Sequence, residues 1–255
     1  MRLLVSVASA TEASAALDGG ADVIDAKDPL AGALGAVSVG VLREIRAAIE
    51  GRRPLTAALG DAADEAAIAR DARMFAEAGV GLVKIGFAGI TDAARVSALI
   101  ASAVHGVGDA RNGAGGVVAV AYADAERASS LAPVALLQVA ARAGAQGVLL
   151  DTADKSGPGL RHLVTPTVLG GWVTEAHKAG LIVALAGKLT EEDLAIICDA
   201  GADIAGVRGA ACEGGREGRV SADKVRRLRA RCAPGGDSSH RMKPLLSLCN
   251  LNSEG

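Results

Sequence analysis

Gly19-Gly20-Ala21-Asp22-Val23-Ile24-Asp25-Ala26-Lys27 runs through a helix stop, a strand and an ionisable strand end in succession. Glycine can end a helix because it enters the left-handed region without a Cβ penalty. The same device recurs at Ala143-Gly144-Ala145-Gln146 and at Ala200-Gly201-Ala202-Asp203. Around these turns, short β-rich runs near 3–7, 22–27, 55–59, 80–85, 117–122, 146–151, 181–186 and 203–208 alternate with helical patterns. Connections of that length suit crossovers between parallel strands. Eight such units in 255 residues predict a single α/β domain, a (β/α)8 TIM barrel spanning 1–232. Windows 64–78, 91–104, 132–143 and 165–179 carry alanine and apolar residues at helical spacing, as an outer ring packed on strands requires.

A doubly wound open sheet shares the alternation. Against it, no Gly-x-Gly-x-x-Gly follows the first strand, and polar residues recur instead at the ends of many strands. The glycine turns then mark the stability face of the barrel, and Gly113-Ala114-Gly115-Gly116 reads as a flexible connector on that face. Residues 233–255 open on Ala233-Pro234-Gly235-Gly236 and show no sustained period, which predicts a disordered C-terminal tail.

Composition narrows the function. A formal net charge of -2 disfavours a polyanion-binding surface, and 2% aromatic residues leave few stacking platforms for single-stranded nucleic acid. No apolar stretch approaches the roughly 18 residues of a membrane span. The first apolar run, Leu3-Leu4-Val5, is too short for a signal-peptide core, so a cytoplasmic location is expected. Cys198, Cys212, Cys232 and Cys249 lack Cys-x-x-Cys spacing, and His105, His162, His177 and His240 lack His-x-x-x-His spacing, so no metal site is predicted. His177 lies in a helical window and should face solvent, and Trp172 should pack.

The chemistry-bearing residues sit at strand ends. Side chains at i and i+2 share one side of a strand, so Asp25 and Lys27 project together. If Val23 faces the barrel interior, so do they, and Ile24 and Ala26 pack against helices. Lys84 interrupts an apolar strand, Asp151 ends another, and Lys155 follows four residues later. A structural ion pair at the rim explains any one of them. Together at three strand ends, they should face one cavity, since ionisable groups inside a barrel are costly unless used or satisfied. An ordinary lysine is almost wholly protonated at neutral pH, whereas clustered, partly buried lysines lower one another's pKa and become nucleophiles. Aspartates would orient the amines and stabilise an iminium cation, and the set suits Schiff-base chemistry on a carbonyl carbon.

Glycines after the last two strands, Gly187 and Gly209, would let backbone N–H groups approach an oxyanion where barrels often bind phosphate. Arg208 either binds that phosphate or pairs with a carboxylate in the barrel wall. Tyr122 with Asp124, and Gly60 with Asp61, either line the site or cap the helix that follows. The partner expected is a small phosphorylated carbonyl compound, with no nucleic acid, no membrane and no cofactor; assembly as a homo-oligomer stays open.

Five motifs in order carry a resemblance: Asp25-Ala26-Lys27-Asp28-Pro29, Tyr122-Ala123-Asp124, Leu150-Asp151-Thr152-Ala153-Asp154-Lys155, Ala184-Leu185-Ala186-Gly187 and Gly206-Val207-Arg208-Gly209-Ala210-Ala211-Cys212. Over residues 1–232 the chain resembles the (5-formylfuran-3-yl)methyl phosphate synthase family of methanofuran biosynthesis. The resemblance implies a lyase that condenses two molecules of glyceraldehyde 3-phosphate, a triose phosphate, with loss of one phosphate and of water. It implies Lys27 as the Schiff-base lysine and Lys84 as the proton acceptor, with Asp25, Asp151 and Lys155 at the remaining catalytic positions. A composition rich in Ala, Gly and Arg looks bacterial, which points to the related methylofuran pathway. The alternatives are another Schiff-base aldolase acting on a triose phosphate and a non-catalytic phosphate-ligand-binding barrel.

Overall fold

The computed structural model describes residues 1–110 and 115–232, in which eight parallel strands close into a barrel in sequence order. They are β1 (Arg2–Val7), β2 (Val23–Ala26), β3 (Leu55–Asp61), β4 (Leu82–Gly86), β5 (Gly116–Tyr122), β6 (Gly147–Asp151), β7 (Ile182–Leu185) and β8 (Ile204–Val207). β8 returns to β1, with Arg2 opposite Ile204 and Val5 opposite Val207, so the barrel itself has no open edge. The outer helices are α1 (Ala10–Asp18), α2 (Val39–Ile49), α3 (Glu65–Glu77), α4 (Ala93–Gly108), α5 (Ala125–Ala128), α6 (Pro133–Arg142), α7 (Leu160–Leu163), α8 (Pro166–Lys178), α9 (Asp193–Asp199) and α10 (Ala222–Arg231). The short α5 and α7 and a small hairpin, β9 (Cys212–Glu213) and β10 (Arg219–Val220), are additions that no sequence period announces. The connector at Gly113-Ala114 and the tail 233–255 lie outside the described residues.

The two-residue alternation divides the core as the sequence requires. Leu4, Val23, Ala58, Leu82, Val118, Val120, Leu149, Ile182 and Ile204 pack inside the barrel. Ile24, Ala26, Val83, Ile85, Val117 and Val148 face the helices and join the larger core between sheet and helix ring. At the stability face, the glycines of the repeated turn take positive φ, +86° at Gly20, +84° at Gly144 and +83° at Gly201. The aspartates that follow two of these glycines secure the next sheet contact. Asp22 accepts the Leu3 N–H at 2.8 Å, and Asp203 accepts the Val183 N–H at 2.9 Å.

That second aspartate corrects the expectation for His177, whose Nε2 lies 2.8 Å from Asp203 Oδ2 with only 17% of its side chain exposed. The helical period places His177 over the end of β8, a long-range pairing invisible in local sequence. Trp172 packs as expected and donates its ring N–H to Pro133 O at 3.1 Å.

In the ring α3 and α4 pack closely, and a Cβ added at Gly106 would lie 2.0 Å from the Ala69 carbonyl oxygen. Gly106→Ala should therefore destabilise the barrel although alanine favours helix by about 1 kcal/mol, because backbone cannot yield as a side chain tip can and overpacking costs about 1–3 kcal/mol. Thermal unfolding of the variant checks this; a raised midpoint would mean that the two helices separate freely.

Candidate active site

Strand ends, not loops, aim most of the ionisable side chains into the mouth of the barrel. Asp25 on β2 is fully buried between two hydroxyls on its neighbouring strands. Ser6 Oγ donates to Oδ2 at 2.8 Å, and Thr56 Oγ1 donates to Oδ1 at 2.7 Å. Lys84 Nζ, reaching in from β4, lies 2.5 Å from Asp25 Oδ1. The carboxylate is thus held from three strands, and it in turn fixes the position of the amine.

A second carboxylate does the same on the far wall. Asp151, at the end of β6, accepts the Thr152 N–H at 2.8 Å and Lys155 Nζ at 2.6 Å. Lys155 also donates to Thr152 O at 2.5 Å, which draws its chain back toward β6 despite the glycine-rich segment that follows. Burial pushes the Asp151 carboxyl up, but the ammonium groups of Lys155 and Lys27 and the hydrogen bonds to Lys155 and the Thr152 N–H outweigh it, so its pKa lies below the ordinary value.

Lys27 differs from the other two lysines. It follows β2 directly, its N–H still bonding Val7 O at 2.9 Å, so the barrel ladder sets its direction. Its amine makes no hydrogen bond among the described residues, and its nearest counter-charge is Asp151 Oδ2 at 3.9 Å. Only 7% of the residue is exposed. Burial, opposed by Asp151 and reinforced by Lys155 and Lys84, lowers its pKa from 10.5 to about 7. About half of the Lys27 amines are then neutral at pH 7, against roughly one in a few thousand for an ordinary lysine. Among the three, Lys27 alone makes no hydrogen bond through its amine to a described residue, and Lys84 and Lys155 are each fixed on a carboxylate.

Lys27, Lys84, Asp151 and Lys155 line a cavity of about 520 Å³ with Gly187, Arg208 and Gly209, whereas Asp25, expected there from the sequence, is fully buried and not part of the lining. Small side chains at Ala184, Ala186 and Gly206 leave it open on the side of β7 and β8. The N–H groups of Gly187 and Lys188 donate to no described residue, and both residues have positive φ, 104° and 56°. A non-glycine held in that region marks local strain of the kind that clusters at ligand sites. Two adjacent free N–H groups at the carboxyl edge of a barrel suit an anion. Gly209 begins the 3-10 turn Gly209–Ala211.

Three other expectations take a different form. Arg208 pairs with a carboxylate, one of the two tasks open to it, but with that of Glu12 on α1 and not one in the barrel wall: Nη2 donates to Oε1 at 3.1 Å, and Nη1 contacts Oε2. Asp124 neither caps α5 nor lines the cavity; its carboxylate accepts the N–H groups of Ala153 at 2.7 Å and Asp154 at 2.9 Å. It holds the loop that carries Lys155. Asp61 accepts Tyr122 Oη at 2.7 Å and the Ala88 N–H at 2.8 Å, tying β3 to β5 and to the loop after β4. Sequence reasoning passed over Ser6, Thr56 and Thr152, the hydroxyl residues around Asp25 and Lys155. A lone hydroxyl within an apolar strand, the signal that singled out Lys84, was available at Ser6 and Thr56.

The family model described as 4-HFC-P synthase matches residues 3–229. The (5-formylfuran-3-yl)methyl phosphate synthase of Methanopyrus kandleri is 41% identical over 234 residues, covering 89% of this chain and 97% of that one. A putative enzyme of the same name from Streptomyces griseus is 41% identical over 212 residues, covering 82% of this chain and 84% of its own. Among solved structures, phosphoribosyl anthranilate isomerase from Thermus thermophilus superposes with a TM-score of 0.62 over 91% of this chain and 98% of that chain at 18% identity, a likeness of fold alone.

Proposed function

Since the chain belongs to the 4-HFC-P synthase family, we propose that it condenses two molecules of glyceraldehyde 3-phosphate into (5-formylfuran-3-yl)methyl phosphate, releasing one phosphate and water, for a methanofuran-type cofactor. The observation that carries this reading is the contrast among the three lysines: one buried amine lowered to about 7 and without a hydrogen bond, beside two amines held on carboxylates. Neutral Lys27 Nζ adds to the aldehyde carbon of the first triose, and loss of water leaves an iminium. The iminium acidifies the neighbouring carbon. Lys84 passes its own proton to Asp25 across their 2.5 Å contact and takes that proton in its place, and the enamine carbon attacks the aldehyde of the second triose. Asp151 faces Lys27 from the other wall and stabilises the iminium charge, Lys155 supplies and recovers protons as the phosphate and water depart, and a hydroxyl of the second triose closes on the iminium carbon and frees the Lys27 amine. The anion site at Gly187 and Lys188 receives a phosphate group. The bacterial composition favours the methylofuran branch.

Incubation with glyceraldehyde 3-phosphate alone should yield a conjugated furan aldehyde, read by mass and ultraviolet absorbance, with one inorganic phosphate released per product. A saturated aldol product would assign the chain to another Schiff-base aldolase. Absence of both conversion and any borohydride-trapped adduct would leave a phosphate-ligand-binding barrel.

A further inference from the structure

The obvious arginine of the cavity, Arg208, is already committed to the protein. Its Nε donates to Arg216 O at 2.9 Å, Nη1 to Ser6 O at 3.1 Å and to Glu12, and Nη2 to Glu12 at 3.1 Å and to Gly218 O at 2.9 Å. A guanidinium has five N–H groups, and all of them are taken. Arg208 shapes the β9–β10 hairpin from below and has none left for a ligand.

The hairpin it supports presents a second guanidinium to the same cavity. Arg216 lines the space with Lys27, Asp151 and Lys155. Its Nη2 donates to Pro29 O at 3.1 Å and to Gly32 O at 2.6 Å, in the loop after β2, which anchors the side chain close to Lys27 in sequence and in space. Its Nε–H and both Nη1 hydrogens donate to no described residue. The group is therefore fixed by Nη2 and keeps separate charge-assisted donors at Nε and Nη1, each able to take an oxygen of an oxyanion. It is also partly desolvated, and the Asp151 carboxylate acts on its charge. The open N–H groups of Gly187 and Lys188 lie in the loop after β7, three strands round the barrel from β2.

We propose that Arg216 is a second phosphate-binding side chain, on the β2 side of Lys27, and that it holds the phosphate monoester of one triose while the β7 amides hold that of the other. This rests on the condensation reading above, which brings two phosphate monoesters into one cavity. Two anions a short distance apart repel, and a guanidinium on one side with neutral amides on the other lets the phosphate that departs differ from the one retained.

The test uses Arg216→Gln, which keeps an amide donor for the two carbonyls but removes the charge and the open Nε and Nη1 donors. Calorimetric titration with inorganic phosphate should show at least a tenfold weaker site in the variant, corresponding to loss of a charge-assisted contact of about 1.4 kcal/mol or more. Borohydride trapping on Lys27 is then compared for glyceraldehyde 3-phosphate and for unphosphorylated glyceraldehyde. The phosphorylated aldehyde should lose about tenfold more than the unphosphorylated one. Superimposable phosphate isotherms would overturn the proposal, and so would equal losses with the two aldehydes, since a mere strap between loops cannot distinguish them. If the wild type forms no adduct with either aldehyde, the Schiff-base reading fails, and the phosphate titration still decides the role of Arg216.

Discussion

Lys27→Ala is expected to end furan formation and to remove the borohydride-trapped adduct, while circular dichroism and the thermal midpoint stay close to the wild type. The expectation of an intact fold follows from the geometry. Lys27 reaches Asp151 only at 3.9 Å, and without it Asp151 still has Lys155 at 2.6 Å and the Thr152 N–H at 2.8 Å, so no buried charge is left unpaired. Removing a missing nucleophile eliminates the covalent route altogether, a larger loss than deleting a proton-transfer group. The same amine sets the pH dependence of adduct formation. Below its lowered pKa of about 7 the ammonium predominates and cannot attack; above it the neutral amine predominates. The trapping rate should rise with pH, bend near pH 7, and at pH 6 stand at about a tenth of its plateau. Rapid-quench trapping across pH 5.5–9 measures it. A rate still climbing toward pH 10 would mean an ordinary lysine, and an adduct that persists in Lys27→Ala would move the amine to Lys84 or Lys155.

How much of this was legible in the sequence depended on the distance over which each decision is made. The glycine turns and the two-residue alternation are local, so β1, β3 and β5 begin or end within a residue or two of their expected positions, and Asp25, Lys27 and Lys84 turn inward as alternation requires. Boundaries slip where the ladder and the turn compete. The fourth run was expected from Val80, but Gly79 takes φ 90° and Val80 bonds back to Phe75 O, so β4 begins at Leu82. Partners far apart in the chain were not legible. Arg208 could have faced a ligand or a wall carboxylate, and only the closed barrel brings Glu12, 196 residues away, beneath it. The segment Glu213-Gly214-Gly215-Arg216 has no period at all, and its role appears only when Arg216 meets Pro29 and Gly32 across the mouth. Asp124 was misjudged for the same reason: a strand-end aspartate followed by Ala125-Glu126 looks like a cap, yet the loop after β6 offers two N–H groups in better position.

Lys84→Arg is expected to lower furan formation by about 10²–10⁴-fold while leaving a substantial borohydride-trapped adduct on Lys27. Arginine is the informative substitution because of what surrounds the amine. Lys84 lies 2.5 Å from Asp25, whose carboxylate is fully buried. Lys84→Ala would strand that carboxylate, and breaking a buried pair costs about 3–5 kcal/mol, so a dead variant would not separate lost chemistry from a damaged barrel. Arginine keeps the positive charge against Asp25 but stays protonated at any working pH, so it cannot accept a proton. The two contributions of Lys84, charge and proton transfer, are thereby divided. Single-turnover trapping reports whether the iminium still forms, and the furan absorbance reports whether the carbon beside it is deprotonated. Turnover near the wild-type rate would reduce Lys84 to a positive charge and place the base at Lys155 or Asp151, which face Lys27 from the opposite wall. Loss of the adduct together with the product would mean instead that Lys84 is needed for the amine chemistry itself, through the lowering of the Lys27 pKa to which its charge contributes.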